Sequence, residues 1–245
     1  MIAFLGGMLP ALAQTDEIQV YTAEINEPGQ FSIQSHNNYT PKGRKEPDFP
    51  GGIVPNHALN GALEWAYGAT EWMELGLYLP LYSVTGERHL LLNGAKIRAL
   101  LVTPEADERS FFYGINFELS RNARHWERTR SSGEIRPIAG FRVGRIDFII
   151  NPIVDTSFQG GIGRLNFTPA ERIAYKFSEA RAVAVEHYAD YGEFKHPASA
   201  SNQSHTLFAV ADYGSESDNV EFGIGRGLTR ASDDWIFKLM LMHAF

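Results

Sequence analysis

Trp235-Ile-Phe-Lys-Leu-Met-Leu-Met-His-Ala-Phe245 places Phe237, Leu239, Leu241, His243 and Phe245 on one side of an extended strand and ends on an aromatic ring. The last residues of an ordinary soluble domain fray and carry no such patterning. The same period of two recurs upstream. Met73, Leu75, Leu77, Leu79 and Leu81 oppose Glu74, Gly76, Tyr78, Pro80 and Tyr82; Phe111, Tyr113, Ile115, Phe117 and Leu119 oppose Gly114, Asn116, Glu118 and Ser120. Around Asp147, the residues Ile146, Phe148, Ile150, Pro152 and Val154 oppose Asp147, Asn151 and Asp155. A helix would set Glu74 beside Tyr78 on one stripe with apolar neighbours between them. Strands separate the two sets cleanly.

Twelve such strands are predicted between residues 30 and 245, with tight connections at Ala69-Thr-Glu71, Gly144-Arg145 and Ser178-Glu179 and longer ones at Thr40 to His57, Arg121 to Gly133 and Lys195 to Ser204. An apolar outer face, short turns at one end, long loops at the other and an even strand number are the marks of a closed antiparallel transmembrane β-barrel with periplasmic turns and extracellular loops. Closure also disposes of every exposed strand edge. The final strand resembles the closing strand of Gram-negative outer-membrane barrels, which implies that Phe245 is an assembly signal read by the barrel assembly machinery. The expected location is therefore the cell outer membrane, with outer-membrane lipid as surroundings.

The other end fits the same address. Met1 to Ala13, MIAFLGGMLPALA, is apolar and closes on Ala11-Leu-Ala13, the small-residue pattern of a cleaved secretory signal. It lacks the basic residue that normally leads such a segment and is read as a truncated or mis-started signal peptide. Residues 14–29 contain one further alternating piece, Ile18 to Ile25, which would make a thirteenth strand if it spanned; parity assigns it to the periplasm or to the barrel lumen. Residues 30–245 form the barrel domain.

Composition sets the remaining bounds. The 245 residues include no cysteine, so neither disulfides nor thiolate metal sites are available, and the net charge of -7 argues against nucleic acid as a partner. No cofactor or metal is expected. Gly223-Ile-Gly-Arg-Gly227 lies in a strand pattern and signals close packing in place of a phosphate loop. The inward face is where chemistry could reside, and its charged members include Glu74, Lys96, Arg98, Glu118, Arg136, Arg142, Asp147, Asp155, Arg172 and Glu186. These candidate pore-lining residues admit two readings: a solvated ion-pair network along a narrow passage, or a selectivity constriction of charged side chains led by Arg136, Arg142 and Asp147.

Several motifs resemble the MetA-pathway phenol-degradation family of bacterial outer-membrane proteins: Glu17-Ile-Gln-Val-Tyr-Thr-Ala-Glu-Ile25, His36-Asn-Asn-Tyr-Thr40, Glu64-Trp-Ala-Tyr-Gly68, Asn151-Pro-Ile-Val154 and Gly225-Arg-Gly-Leu-Thr229. The resemblance implies a barrel that passes small, often aromatic, solutes passively, and it brings no functional residues with it. A structural or surface-interaction barrel is the alternative. An outer-membrane lipid hydrolase is a third reading, and it requires a serine paired with histidine at the membrane edge.

Overall fold

A computed structural model describes residues 17–161, 164–178, 180–215 and 217–245; the leader segment of residues 1–13 and the turn residue Glu179 lie outside them. The chain is all-β. Its strands are β1 (Phe31–Lys42), β2 (Leu59–Thr70), β3 (Met73–Val84), β4 (Leu90–Val102), β5 (Phe111–Asn122), β6 (Ser131–Val143), β7 (Ile146–Asn151), β8 (Val154–Thr156), β9 (Asn166–Phe167), β10 (Ala170–Ser178), β11 (Arg181–Asp190), β12 (Gly192–Glu193), β13 (His196–Pro197), β14 (Ser204–Gly214), β15 (Asp218–Gly227) and β16 (Trp235–Ala244). All neighbours pair antiparallel, and β1 pairs with β16 from Ser32↔Ala244 to Lys42↔Trp235, which closes the sheet into a barrel.

Twelve staves make the wall, as expected, but three of them are broken where single strands are predicted. Asn151 ends β7, Pro152 and Ile153 interrupt the ladder, and β8 resumes the direction; across from it, Thr168 and Pro169 separate β9 from β10. Proline has no N–H to give a ladder and favours such breaks, although Pro137 keeps its place in β6 opposite Ile115. Tyr191 likewise separates β11 from β12. The broken region gives β8, β9, β12 and β13 a small extension of sheet at the long-loop end.

The two faces of the wall differ as the alternation demands. Leu75, Leu77, Ile97, Phe117, Leu119, Ile150, Ile173, Val185, Leu207, Phe222 and Leu239 all lie exposed on the outside. A contiguous apolar surface of this size is unsuited to water and matches hydrocarbon. Aromatic rings gather at the ends of the belt, with Trp72, Tyr113, Tyr175, Phe177, Tyr213 and Phe245 exposed towards the short turns and Tyr39 and Trp235 towards the long loops. The carbonyl of Phe31 accepts from the Phe245 amide at 2.9 Å, so the last residue is part of the closing seam. Leu77→Arg or Ile150→Arg is expected to cost about 2–4 kcal/mol, the usual penalty for a cation near the midplane of a barrel. Urea midpoints of the folded barrel in lipid vesicles, read by heat-modifiable gel mobility, measure it; unchanged midpoints would mean that this belt does not face lipid.

At the long-loop end the connections fold together over the mouth. Ile53 and Ala58 pack on Trp126, with Leu91 and Ala123 against them. Arg44 ties the first loop to the last, donating through its backbone N–H to Asp233 Oδ1 at 2.7 Å and pairing with Asp48. Arg128 reaches the Asp48 carbonyl at 3.2 Å. Burial pushes the Asp48 carboxyl up from its ordinary value against the opposing pull of the Arg44 guanidinium.

Candidate functional site

Alternation turns the polar face of every stave into the lumen, where three buried ion-pair networks form among the described residues. In the first, Arg98 on β4 donates from Nε to Glu64 Oε1 at 2.5 Å and from Nη2 to Glu74 Oε1 at 2.6 Å, spanning β2, β3 and β4. His36 on β1 meets the other Glu64 oxygen at 3.0 Å. In the second, Lys96 pairs with Glu118 at 2.9 Å, and Arg136 pairs with Glu134 at 2.7 Å, while Glu17 lies between the two cations at 3.7 and 3.4 Å. In the third, on β10, β11 and β14 to β16, Arg172 pairs with Glu186 and Asp212 and lies 3.3 Å from Glu221. Lys238 sits 2.5 Å from both Glu186 and Glu221.

Space for these long side chains is made by small residues opposite them. Gly223 faces Lys238, whose Cε would lie 2.8 Å from an added Cβ, and Gly225 faces the ring of Phe208, which an added Cβ would overlap. The glycine run near the end of the chain is thus a packing device, as its strand setting indicates. Gly76 similarly admits the Arg98 stem.

The lumen is also crossed by residues 17–28, which run ahead of β1. Gly68 has no side chain where the segment leaves the barrel wall; a Cβ there would stand 2.5 Å from the Asn26 carbonyl. From that point the strap climbs into the interior, where Ile18, Val20, Tyr21 and Ala23 are buried. Its backbone has no strand partner, so wall side chains satisfy it instead. Asn151 both accepts from the Tyr21 N–H at 2.7 Å and donates to the Tyr21 carbonyl at 3.1 Å. Arg136 donates to the Gln19 carbonyl at 3.1 Å, Lys238 to the Ile18 carbonyl at 3.3 Å, and the Asn26 N–H donates to Glu74 at 2.7 Å. The Tyr21 ring lies between Arg136, 4.3 Å from its centroid, and Tyr78, whose hydroxyl is 2.8 Å from its own. Val20 and Tyr21 pack with Leu100, Phe112, Ile138 and Ile149, and Ile18 packs with Ala174, Phe208 and Val210.

The ten residues singled out from the sequence occupy different levels. Glu74, Lys96, Arg98, Glu118, Arg136, Arg172 and Glu186 belong to the three networks and are buried. Arg142 and Asp147 form a two-pronged pair at 2.8 and 3.2 Å near the short-turn rim, with Lys176 3.1 Å from the same carboxylate. Arg136 is therefore not joined to Arg142 and Asp147; it binds Glu134 and the strap. Asp155 stands apart again, in the upper wall, accepting from Thr168 Oγ1 at 2.6 Å. Sequence reasoning missed Glu17, Glu134 and His36 as network members and Asn151 as a holder of the strap. Glu134 shares parity with Arg136 and could have been included on that signal.

Carboxylates outnumber guanidinium and ammonium groups in each network. The first has Glu64 and Glu74 against Arg98; the second has Glu17, Glu118 and Glu134 against Lys96 and Arg136; the third has Glu186, Asp212 and Glu221 against Arg172 and Lys238. Fully ionised, each carries a net negative charge and repels anions more than cations; a network that retains one proton is neutral. Near the short-turn rim the balance reverses, with Arg142 and Lys176 against Asp147.

No protein-family model matches the chain, and neither does any curated protein. Solved structures do. The COG4313 outer membrane channel from Pseudomonas putida F1 superposes with a TM-score of 0.62 at 12% identity, covering 94% of this chain and 100% of that one. The KdgM porin superposes with a TM-score of 0.57 at 11% identity, covering 87% and 99%. It has also been solved in complex with disordered oligogalacturonate, with a TM-score of 0.55. At these identities the likeness shows a shared fold, that of a closed twelve-stave outer-membrane barrel.

Proposed function

We propose that the chain is an outer-membrane channel for passive passage of small neutral or cationic solutes, held narrow by its own N-terminal strap. The observation that carries this reading is the strap itself: a non-covalent, side-chain-held segment in the lumen of a twelve-stave barrel. Twelve staves enclose more interior than side chains alone fill at eight. The fold neighbours support a channel in preference to a structural barrel, and the resemblance of Glu17 to Ile25 and of Asn151 to Val154 to the MetA-pathway family supports small aromatic solutes. Tyr21, Tyr78, Phe112, Tyr188 and Phe208 line the interior with ring faces suited to them. Arg98 Nη1 and Asn116 Oδ1 are buried with no hydrogen-bond partner among the described residues, which leaves donor and acceptor capacity for a polar substituent or water. A polyanionic sugar of the kind in the KdgM complex fits the acidic networks poorly.

A lipid hydrolase finds less support. His187 pairs with Glu171 and His205 on the outer face, and His243 with Asp218. No serine hydroxyl is bonded to an imidazole of either group among the described residues.

Planar-bilayer recordings under a salt gradient test the reading. The parent should conduct weakly with a cation-selective reversal potential, because a narrow low-dielectric passage focuses the field of its lining charges. Liposome uptake should favour phenol over benzoate of similar size. Anion selectivity, or equal uptake of the two, would overturn it.

A further inference from the structure

The outer face near the long loops carries a cluster that neither the lumen nor the apolar belt explains. Glu171 on β10, His187 on β11 and His205 on β14 all point outward, since their neighbours Arg172, Glu186 and Thr206 are buried inside. His187 bridges the other two, with Nδ1 2.8 Å from Glu171 and Nε2 3.1 Å from His205 Nδ1. The imidazoles stack at 5.3 Å with 8° between their planes, so their nitrogens face one another and do not converge on a common point as metal ligands would. Directly above, Tyr191 meets His205 edge to face at 5.4 Å, and Phe167 lies 5.7 Å from both Tyr191 and Phe194. Phe167, Tyr191, Phe194 and Pro197, with Gly192 and Glu193 between them, wall a cleft of about 230 Å³ that opens outward.

The level of this site in the wall identifies what it meets. Below it on the same staves stand Ile173, Val185 and Leu207, which face hydrocarbon; above it Lys195 and His196 are exposed in the β12–β13 hairpin, and Arg164, exposed ahead of β9, pairs with Glu193 at 3.2 Å. A ligand spanning those three levels has acyl chains at the bottom, a flat-faced polar body at ring height and negative charge at the top. We propose that this cleft binds the phosphorylated sugar headgroup of an outer-leaflet glycolipid. Sugar C–H faces pack on the negative faces of Phe167, Tyr191 and Phe194, Glu171 held by the imidazole pair accepts hydrogen bonds from sugar hydroxyls, and Lys195, with the Arg164 donors that Glu193 leaves over, meets the phosphates. A glycerophospholipid supplies the charge but no sugar ring for the aromatic wall.

Native mass spectrometry of the folded barrel in detergent, titrated with bis-phosphorylated lipid A, tests this. The parent should hold one lipid A, while phosphatidylglycerol at the same concentration should bind about tenfold more weakly. Phe167→Ala with Phe194→Ala should weaken lipid A binding about tenfold and leave heat-modifiable mobility unchanged. His187→Gln with His205→Gln, which keeps polar side chains on the wall, should weaken it as well and serves if the first pair misfolds. Absence of the one-to-one adduct, equal binding of phosphatidylglycerol, or parental affinity in a folded double variant would overturn the proposal.

Discussion

Removing residues 17–24, with Glu27 to Gln30 kept to preserve the entry into β1, should raise single-channel conductance severalfold and change selectivity at the same time. The strap fills the middle of the lumen with the Tyr21 ring and the Ile18 and Val20 side chains, all buried. Its loss opens a passage lined by Tyr78, Asn116, Glu118, Arg136 and Asn151. Glu17 leaves with it, so Lys96 and Arg136 lose one of the carboxylates between them. The second network then has Glu118 and Glu134 against two cations, and the cation preference of the opened channel should fall relative to the parent. Folding should survive, because the wall ladder from β1 to β16 makes no use of the strap backbone. A gentler version is Asn151→Ala, which removes both hydrogen bonds to Tyr21 and should produce brief openings to the larger level. Recordings in which deletion leaves conductance unchanged would show that the passage is limited elsewhere, at the loop-covered mouth around Trp126 and Asp48.

The barrel was legible in the sequence because every requirement of a lipid-spanning wall acts locally. A strand buried in hydrocarbon on one side and in a polar lumen on the other has to alternate, and Met73 to Leu81 or Phe111 to Ser120 can alternate in only one register. Turn lengths follow from the same geometry. The strap was legible only as a leftover. Ile18 to Ile25 alternates like a stave, and what distinguishes it is that its backbone is satisfied by Asn151, Arg136 and Lys238, residues more than a hundred positions away. No local pattern records such partners. The breaks at Pro152 and Pro169 were visible as residues but not as consequences, since a proline ends one segment of ladder without deciding whether the chain resumes in line. Pairings across the lumen were hidden for the same reason. Arg136 and Arg142 share a face of β6, yet the first binds a glutamate two residues away and the strap, whereas the second is held by Asp147 across a tight hairpin. The outward cluster of Glu171, His187 and His205 depends on the registers of three staves at once, and His205 was not distinguishable from a loop-edge residue until β11 and β14 were aligned.

Lys238→Met should be the most destabilising single substitution in the wall, at about 3–5 kcal/mol, the cost of breaking a buried ion pair and leaving its partner charged. Lys238 is fully buried, 2.5 Å from both Glu186 and Glu221, and its loss leaves Glu186, Asp212 and Glu221 facing Arg172 alone. Methionine matches the stem and fits against Gly223, so the penalty is electrostatic and not a cavity. Pairing the change with Glu221→Gln should recover more than half of the loss, because it removes the carboxylate left without its nearest cation; the non-additivity is the signature of a shared network. The magnitude also reports on the lumen. If bulk-like water reached the third network, the pair would behave as an exposed one and contribute only about 0–1 kcal/mol. The contact of Lys238 with the Ile18 carbonyl and the packing of Ile18 on Phe208 and Val210 place the strap over this network as a lid against water. The same Lys238→Met change made in the strap-deleted barrel should therefore cost distinctly less than in the parent. Equal costs in the two backgrounds, measured as urea midpoints in vesicles, would mean that the strap does not keep the network dry and that its hold on Lys238 is incidental to the stability of the wall.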